Sequence, residues 1–479
     1  MNRDTYISPF STRYASKEMR YLFSEDNKFQ TWRRLWVILA KSQQALGLNI
    51  SDEQIRELEM FHNQINYADA EEREKEIHHD IMAHIYAYGL QCPKAKPIIH
   101  LGAASCYVGD NTDIIIFRDA LRLIRGKIIS VISNLSRFAE IYKGLPTLGF
   151  THFQPAQLVT VGKRAALWIQ DLMTDWDELE HVLNNLCILG SKGTTGTQAS
   201  FKELFNGDFE KVLRLDQMVA RQLGFARIVP VSGQTYSRKT DSLVMNVLSG
   251  IAQSIAKFSN DIRLLQHLKE IEEPVDAVSP NMAYKRNPMK CERMAALCRF
   301  VITGAQNTAV TASAQWFERT SDDSANKRIA VSEAFLAVDT TLNLYMNVSN
   351  DLTVYPKVIE RHILEELPFM AVENIILAAE RRVGDRRLLQ ERMDEHVAAA
   401  AFQVKSEGGK NDLLERIAED PLFGMDADTL SASMSPGLFV GFAVEQTEEY
   451  LVYVKDKLAQ AGRMEIFYDE KLNKFSDSI

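Results

Sequence analysis

The chain has 479 residues, of which 46% are hydrophobic and 25% charged, the balance of a globular protein of about three domains. Its 55 lysines and arginines against 64 aspartates and glutamates give a net charge of -9. This charge argues against nucleic acid or an anionic membrane as a bulk partner. A small anionic substrate is still compatible with it, because a few arginines can dominate the field at close range.

No segment of the sequence predicts export or a membrane span. Residues 1–14 contain no apolar run, so no signal peptide is expected. A long charge-free stretch, residues 300–317, carries amide and hydroxyl side chains and predicts a buried helix. Five cysteines, an odd number without a CxxC spacing, indicate free thiols in a reducing compartment, and we expect a cytoplasmic protein.

Helical periodicity dominates the chain, and no run of alternating strands is found. Polar turns separate two short helical stretches near the start, at 28–46 and 52–61. Five longer segments follow, at about 112–143, 156–189, 237–271, 292–316 and 324–352. Candidate N-terminal caps precede the first of these: Asp110, Asn111 and Thr112.

The segment at 237–271 gives the clearest architectural signal. Seven apolar residues recur there at spacings of four and three: Val244, Leu248, Ile251, Ile255, Phe258, Ile262 and Leu265. This mean spacing of about 3.5 is typical of the seam of a left-handed helix bundle. The sequence therefore predicts an all-α protein with domains at 1–106, 107–354 and 355–479, of which the second is a bundle of long helices.

The most concentrated polar chemistry lies in SPNMAYKRNP, residues 279–288. The segment has no apolar residues at helical period and follows an acidic stretch with a proline, so it predicts a loop. A loop with Ser279, Lys285, Arg286 and Asn287 is able to bind an anion, although an ordinary surface loop fits the same pattern.

This loop is similar to the signature GSSxMPxKxNP of the fumarase/aspartase superfamily. Ser279, Lys285 and Asn287 match the signature, whereas three residues depart from it: Val278, Pro280 and Ala283. Six segments also resemble the adenylosuccinate lyase family of the animal type, in that family's order: HLGAASCYVGDNTD at 100–113, THFQPAQ at 151–157, GTTGTQASF at 193–201, GQTYSRK at 233–239, YKRNPM at 284–289 and WFERTSDDSANKRI at 316–329.

The resemblance implies roles for five catalytic residues. Ser279 would act as the base and His152 as the general acid. Glu292 would be the carboxylate partner that fixes the tautomer of His152 and raises its proton affinity. Lys285 would support the charge of the base and of the intermediate, and His79 would orient the substrate.

The resemblance also implies a set of substrate-binding residues. The phosphate would be held by Arg319, Ser324 and Arg328. Other contacts would come from residues spread along the chain: Arg13, Tyr14, His78, Asp80, Ala104, Ser105, Thr151, Gln234, Asn287 and Arg293. At two of these positions the chain departs from the family, since His78 stands where arginine is usual and Ala104 where threonine is usual. The departure at His78 weakens one expected anion contact, and the departure at Ala104 removes one expected hydroxyl contact.

Spacing disfavours both a metal site and a P-loop. His79 and His84 are five residues apart and lie on different faces of a helix, so no metal ion is expected there. The GTTGT sequence at 193–197 lacks the GxxxxGK[ST] spacing of a phosphate-binding P-loop.

The reaction implied by the resemblance is a β-elimination that cleaves a C–N bond and releases fumarate, with no cofactor. Its substrates would be adenylosuccinate and the succinyl-aminoimidazole carboxamide ribotide. The resemblance puts His79, Ser105 and His152 in one site, and the long helix at about 112–143 separates Ser105 from His152 within one chain. We therefore expect a homotetramer with active sites shared between subunits, associated through the seam at 244–265. Two alternatives are another lyase of the superfamily, such as argininosuccinate lyase, aspartase or fumarase, and a non-catalytic helical structural protein of the same fold.

Overall fold

The structure is a computed structural model that describes residues 4–274 and 284–476. Helices dominate these ranges, as predicted: α1 (Lys17–Leu22), α2 (Glu25–Ala45), α3 (Asp52–Phe61), α4 (Tyr67–Ile77), α5 (Asp80–Gln91), α6 (Cys106–Tyr142), α7 (Val161–Asn185), α8 (Ala199–Leu204), α9 (Phe209–Gln222), α10 (Lys239–His267), α11 (Met289–Gly304), α12 (Gln306–Ala314), α13 (Asp323–Asn350), α14 (Pro356–Met370), α15 (Val372–Val383), α16 (Arg386–Lys405), α17 (Leu413–Glu419), α18 (Ala427–Ser433) and α19 (Ala443–Ser476). A π-helical turn lies at Phe10–Tyr14, and 3-10 turns lie at Lys96–Ile98 and Pro436–Phe439. None of the described helices is both long and apolar enough to cross a membrane.

The chain folds into two compact units, each assembled from separate stretches of sequence. The first unit comprises Met1–Ile128, Thr174–Lys257 and Arg293–Leu344. The second comprises Ile129–Met173, Phe258–Glu292 and Tyr345–Ile479. This partition does not follow contiguous domains, so the division at 1–106, 107–354 and 355–479 stays a prediction.

The heptad seam of α10 is filled within a single chain. Val244, Leu248, Ile251, Ile255, Phe258 and Ile262 have no exposed surface, and Leu265 is 4% exposed. The sequence therefore identified the buried face of α10 correctly. The expectation that this seam supplies a free surface for subunit association was wrong, because its side chains already pack inside the chain.

The start of α6 differs from the sequence prediction. Asp110, Asn111 and Thr112 are not caps but buried residues inside α6, which begins at Cys106. The side chain of Asn111 bonds to both backbone groups of Gly190, at 3.0 and 3.1 Å. The polar side chains of Asp110 and Asn111 therefore serve tertiary contacts, a use that resembles a helix cap in sequence.

Two short antiparallel sheets replace parts of the predicted helices and loops in the second unit. β1 (Pro146–Thr151) pairs with β2 (Gln154–Thr160), so the helix predicted from residue 156 begins only at Val161, as α7. β3 (Ile271–Glu272) pairs with β4 (Thr353–Val354). Thr151 and Gln154 are paired across the first hairpin, which leaves His152 and Phe153 as its two-residue turn.

Helix ends in the first unit follow local sequence signals. α3 has the predicted bounds, and Ser51 and Gln54 form a reciprocal capping box at its start. The helix predicted at 292–316 instead divides into α11 and α12 after Gly304, a residue type with low helix propensity.

Candidate active site

A cavity of about 420 Å³ lies in the first unit and is lined by several of the predicted substrate-binding residues. Five of them meet there: Asp80, Ser105, Arg319, Ser324 and Arg328. Ser105 directly precedes α6, Arg319 lies in the loop before α13, and Ser324 and Arg328 lie on α13 itself. The structure thus brings together residues that are separated by up to 248 positions in the sequence.

Helix ends give this cavity its electrostatic character. The lining contains five basic and five acidic side chains, so the side-chain charges balance. Four helices begin at lining residues: α2 at Glu25, α5 at Asp80, α6 at Cys106 and α13 at Asp323. Because the N-terminal end of a helix carries partial positive charge and unpaired N–H groups, the cavity is suited to an anion.

A buried network of ion pairs forms one wall of the cavity. Arg238 donates two hydrogen bonds to Asp110, at 3.1 and 3.2 Å, and also contacts Asp323. Asp323 in turn accepts a hydrogen bond from Nη1 of Arg319 at 2.8 Å. Burial acts to raise the pKa of the Asp323 carboxyl, but Arg238 and Arg319 outweigh it and hold that pKa below its usual range. The network therefore fixes the guanidinium of Arg319 at the cavity.

The histidine-rich segment lies between α4 and α5. His78 ends α4 with a left-handed backbone, and His79 is the N-terminal cap of α5. Nδ1 of His79 accepts the backbone N–H of Met82 at 3.4 Å, so the neutral ring carries its proton on Nε2. Both rings are exposed, and Asp80 lies 3.8 Å from Arg328.

A second group of predicted substrate contacts surrounds Tyr14 in the first unit. The guanidinium of Arg13 lies 5.8 Å from the centre of the Tyr14 ring, and that of Arg293 lies 5.9 Å from it. Three residues that the family resemblance grouped are therefore neighbours, although Arg293 follows Tyr14 by 279 positions. Two arginines over one ring form a cationic patch.

Gln234 lies beside the cavity, and the GTTGT loop at 193–197 packs against the residues that precede Gln234. Oε1 of Gln234 accepts a bond from the Cys106 thiol at 3.6 Å. In the loop, Gly196 has a φ of 81°, and a Cβ there would lie 1.8 Å from the Ser232 carbonyl oxygen. Only glycine fits this approach, so the loop serves packing beneath residues 232–234.

The predicted acid, His152, occupies the tip of the β1–β2 hairpin in the second unit. His152 and Phe153 have φ angles of 52° and 57°, the left-handed region that a two-residue turn of this type demands and that asparagine or glycine usually fills. All residues from 151 to 157, including Thr151, are exposed. The side chain of His152 has no hydrogen bond within the described ranges of the chain.

Lys285, Asn287 and Glu292 also belong to the second unit and are exposed. Lys285 and Asn287 lie in the segment before α11, and Glu292 lies in its first turn. Among the described residues, no ion pair or hydrogen bond joins Glu292 to His152, so this pairing stays a prediction. Ser279, with Val278, Pro280 and Ala283, lies outside the described residues.

Two buried side chains, Glu273 and Gln266, hold the segment that leads into α11. Glu273 accepts the backbone N–H groups of Lys290 and Cys291, both at 2.8 Å, at the start of α11. Gln266 donates to the carbonyl oxygen of Arg286 at 3.0 Å. These bonds hold the chain at Arg286, between Lys285 and Asn287, and at the start of α11.

Several cavity residues were missed by sequence reasoning, although a signal existed for most of them. Asp110, Asp113, Arg238, Asp323 and Lys327 all lie within the quoted family-like segments. Lys28 lies in none of them. Within 4–274 and 284–476, no group of three or more His, Cys, Asp or Glu side chains is arranged to hold a metal ion.

Solved structures with a similar fold are distant in sequence. A 3-carboxy-cis,cis-muconate lactonizing enzyme from Pseudomonas putida superposes with a TM-score of 0.82 at 19% identity, over 93% of this chain and 99% of that one. A fumarate lyase from Mesorhizobium sp. BNC1 gives 0.78 at 22% identity, over 93% and 99%. These similarities confirm the predicted all-α fold of the fumarase/aspartase type.

Similarity in sequence is much closer to a second group of proteins. A family model described as "Lyase" matches residues 32–303. The adenylosuccinate lyase of Saccharomyces cerevisiae is 49% identical over 454 residues, 94% of each chain. That of Schistosoma mansoni is 42% identical over 453 residues, again 94% of each chain. The chain belongs to the adenylosuccinate lyase family.

Proposed function

We propose that this protein cleaves adenylosuccinate to AMP and fumarate, and succinyl-aminoimidazole carboxamide ribotide to the free carboxamide ribotide and fumarate. Relatives of 49% and 42% identity carry the name adenylosuccinate lyase over nearly the whole chain. The observation that carries the proposal is the cavity of the first unit, where Ser105, Arg319, Ser324 and Arg328 meet four helix N-termini. Such a site suits a phosphate monoester.

The chemistry is a β-elimination on the succinyl group. A base removes the proton from the carbon next to one carboxylate, and the negative charge spreads into that carboxylate. The electron pair then forms the double bond of fumarate while the C–N bond breaks, and an acid protonates the departing nitrogen. The same steps serve both substrates, and no cofactor is needed to balance them.

The proposed division of labour follows the family resemblance. Ser279 is the base, and Lys285 with backbone N–H groups stabilises its alkoxide. Lys285 and Asn287 stabilise the dianionic intermediate. His152 protonates the leaving nitrogen, with Glu292 behind it, and an exposed imidazole at a strained turn is free to reach a substrate.

The remaining assignments concern binding. Nε2–H of His79 donates to the substrate, because Nδ1 of its neutral ring is already an acceptor for Met82. Arg319, Ser324 and Arg328 bind the phosphate. The other proposed contacts are Arg13, Tyr14, His78, Asp80, Ala104, Ser105, Thr151, Gln234 and Arg293.

Chain geometry supports active sites shared between the subunits of a homotetramer. Ser105 precedes α6, whose 37 residues span about 55 Å. His152 follows the end of α6 by ten residues, and ten extended residues reach at most about 36 Å. The two residues cannot meet in one chain, whereas antiparallel helices of neighbouring chains allow them to meet. We place this tetramer in the cytoplasm, in keeping with five free cysteines.

Two rival functions make different demands on the cavity. Argininosuccinate lyase, aspartase and fumarase act on substrates without phosphate, and they have no need for Arg319, Ser324 and Arg328 together. A non-catalytic structural protein has no need for an exposed histidine at a strained turn, which carries a conformational cost. Both rivals are therefore disfavoured by specific residues rather than by fold.

An ultraviolet assay of the purified protein tests the proposal. Adenylosuccinate should be consumed with release of AMP and fumarate, whereas argininosuccinate and malate should be left unchanged. Turnover of argininosuccinate or malate instead would assign the protein to another branch of the superfamily. No turnover of any of the three would favour the structural alternative.

A further inference from the structure

The cavity of the first unit contains one cation that the family resemblance does not assign. Lys28 lies on the first turns of α2 and lines the cavity together with Arg319, Ser324 and Arg328. Its side chain is half-buried. It belongs to none of the six family-like segments, so only the fold brings it to this place.

The other cations of the cavity already have carboxylate partners. Arg238 is paired with Asp110 and Asp323, and Arg319 with Asp323. Lys327 contacts Asp113, and Arg328 lies 3.8 Å from Asp80. All five basic residues that line the cavity belong to the part of the chain that the structure describes. Among these five, Lys28 is the one whose side-chain nitrogen has no carboxylate oxygen within 4.0 Å.

Aromatic rings fix the position of the Lys28 ammonium group. Its Nζ lies 4.9 Å from the centre of the Phe29 ring and 4.8 Å from that of the Trp32 ring. Phe29 is 7% and Trp32 is 2% exposed, so both rings are rigidly packed. A cation held against aromatic faces keeps its charge while its N–H groups can still donate.

The surroundings of Lys28 favour an added anion. Burial lowers the pKa of its ammonium group, and Arg328 lowers it further, against the opposing effect of Asp80. Lys28 and Arg328 line the same cavity and are both cations, so they repel one another, and an anion bound near both would relieve this repulsion. Two buried polar atoms of the lining, Nε1 of Trp32 and Oγ1 of Thr112, have no hydrogen-bond partner in the described chain.

We propose that Lys28 binds the phosphate group of the nucleotide directly, together with Arg328. The inference rests on the proposed function and adds a specific residue to it. Each of the other four cations of the lining has a carboxylate within 4.0 Å, whereas the positive charge of Lys28 has no carboxylate that close. A phosphate dianion matches this charge, because it can accept from Lys28, Arg328 and the helix N-termini together.

The test compares three variants by calorimetric titration with AMP and with adenosine. Lys28→Met keeps the stem of the side chain over the rings and removes the charge, and Lys28→Arg keeps the charge. Lys41→Met is the matched control, since Lys41 lies on the same helix about 20 Å away and pairs with Glu59 outside the cavity.

Lys28→Met should weaken AMP binding at least tenfold and leave adenosine binding unchanged, and kcat/KM for adenylosuccinate should fall by the same factor. Lys28→Arg should recover most of the loss, and Lys41→Met should match the wild type. Unchanged AMP affinity in Lys28→Met, or an equal loss for AMP and adenosine, would overturn the assignment and indicate a packing role.

The two levels of the proposal fail separately. A wild-type protein that binds AMP but does not cleave adenylosuccinate would overturn the proposed function and leave the Lys28 test valid. A wild-type protein that cleaves adenylosuccinate, with Lys28→Met equal to it in both assays, would overturn the Lys28 assignment alone. A wild-type protein that neither binds AMP nor cleaves adenylosuccinate would overturn both.

Discussion

The cavity of the first unit and the hairpin tip of the second differ in how far their own chain stabilises them. In the cavity, buried ion pairs fix Arg238, Arg319 and Asp323 before any ligand is bound. At the hairpin tip, His152 and Phe153 hold left-handed backbone angles while the residues from 151 to 157 are exposed. The difference indicates that the proposed phosphate site is preorganised within a chain, whereas the proposed acid, His152, needs surroundings from elsewhere.

Backbone strain at His152 and Phe153 gives this contrast a physical basis. A non-glycine residue in the left-handed region costs on the order of 1 kcal/mol or more, and the hairpin contains two in succession. Sequences that need only a turn place asparagine and glycine there. A histidine at this position is consistent with a role that a single chain does not complete.

The largest expected effect follows replacement of His152, the proposed general acid. His152→Gln should lower kcat for adenylosuccinate by about 10²–10⁴-fold, the usual contribution of a general acid. Because His152 is exposed and makes no hydrogen bond in the described chain, thermal stability should hardly change. His181→Gln, the same change at another exposed histidine, is the control. If His152→Gln retains more than a tenth of the wild-type rate, the hairpin tip does not carry the acid.

Mixed subunits test whether the two regions are completed by different chains. His79→Gln and His152→Gln should each be inactive, and an equal mixture that is unfolded and refolded should recover activity. If each site draws these histidines from two chains, about a quarter of the sites hold both native residues. Mixed tetramers that stay as inactive as their parents would reject shared sites.

A third prediction concerns the buried charges behind the cavity. Burial raises the pKa of Asp241 to about 6, although Lys327 and Arg238 oppose the shift. The folded chain then binds this proton more tightly than the unfolded chain does. The contribution to stability is fully present below about pH 4 and is lost as the pH rises through 6.

Asp241→Asn removes this titration and keeps an acceptor for the Tyr236 hydroxyl, which donates to Asp241 at 2.6 Å. Relative to the wild type, the free energy of unfolding of Asp241→Asn should therefore increase between pH 4.5 and 7, by about 3 kcal/mol at most. Urea denaturation at fixed protein concentration measures the difference. A difference that is constant with pH would show that Asp241 does not titrate in this range.

The sequence predicted those features that depend on local pattern. The bounds of α3 follow from Ser51 and Gln54, and the buried face of α10 follows from the spacing of its apolar residues. The hairpin at 146–160 was missed, because strand pairing depends on partners and the proline at 155 resembles a helix start. Nothing local distinguishes a paired strand of this kind.

The candidate site shows the same division. Arg319, Ser324 and Arg328 were identified through resemblance, and the cavity brings them together. The Asp110–Arg238 pair joins residues 128 positions apart, and only the fold makes that contact visible. The sequence alone therefore predicts a helix cap at Asp110, since an aspartate before an apolar run has the same pattern in either role.

The smallest expected effect separates the exposed arginine of the cavity from the one that is fixed by a buried carboxylate. Arg319 forms an ion pair with Asp323, whose carboxyl is buried. The side chain of Arg328 is 67% exposed, and its contact with Asp80 is longer, at 3.8 Å. Arg328→Ala should therefore leave the melting temperature unchanged and weaken AMP binding by about 1.5 kcal/mol, the lower end for a hydrogen bond to a charged group. That loss is roughly tenfold in the dissociation constant.

Arg387→Ala, at an arginine that pairs with Glu391 on α16 in the second unit, is the matched control and should bind AMP normally. Unchanged AMP affinity in Arg328→Ala would remove this residue from the phosphate site, and a lowered melting temperature would show that it acts through the fold.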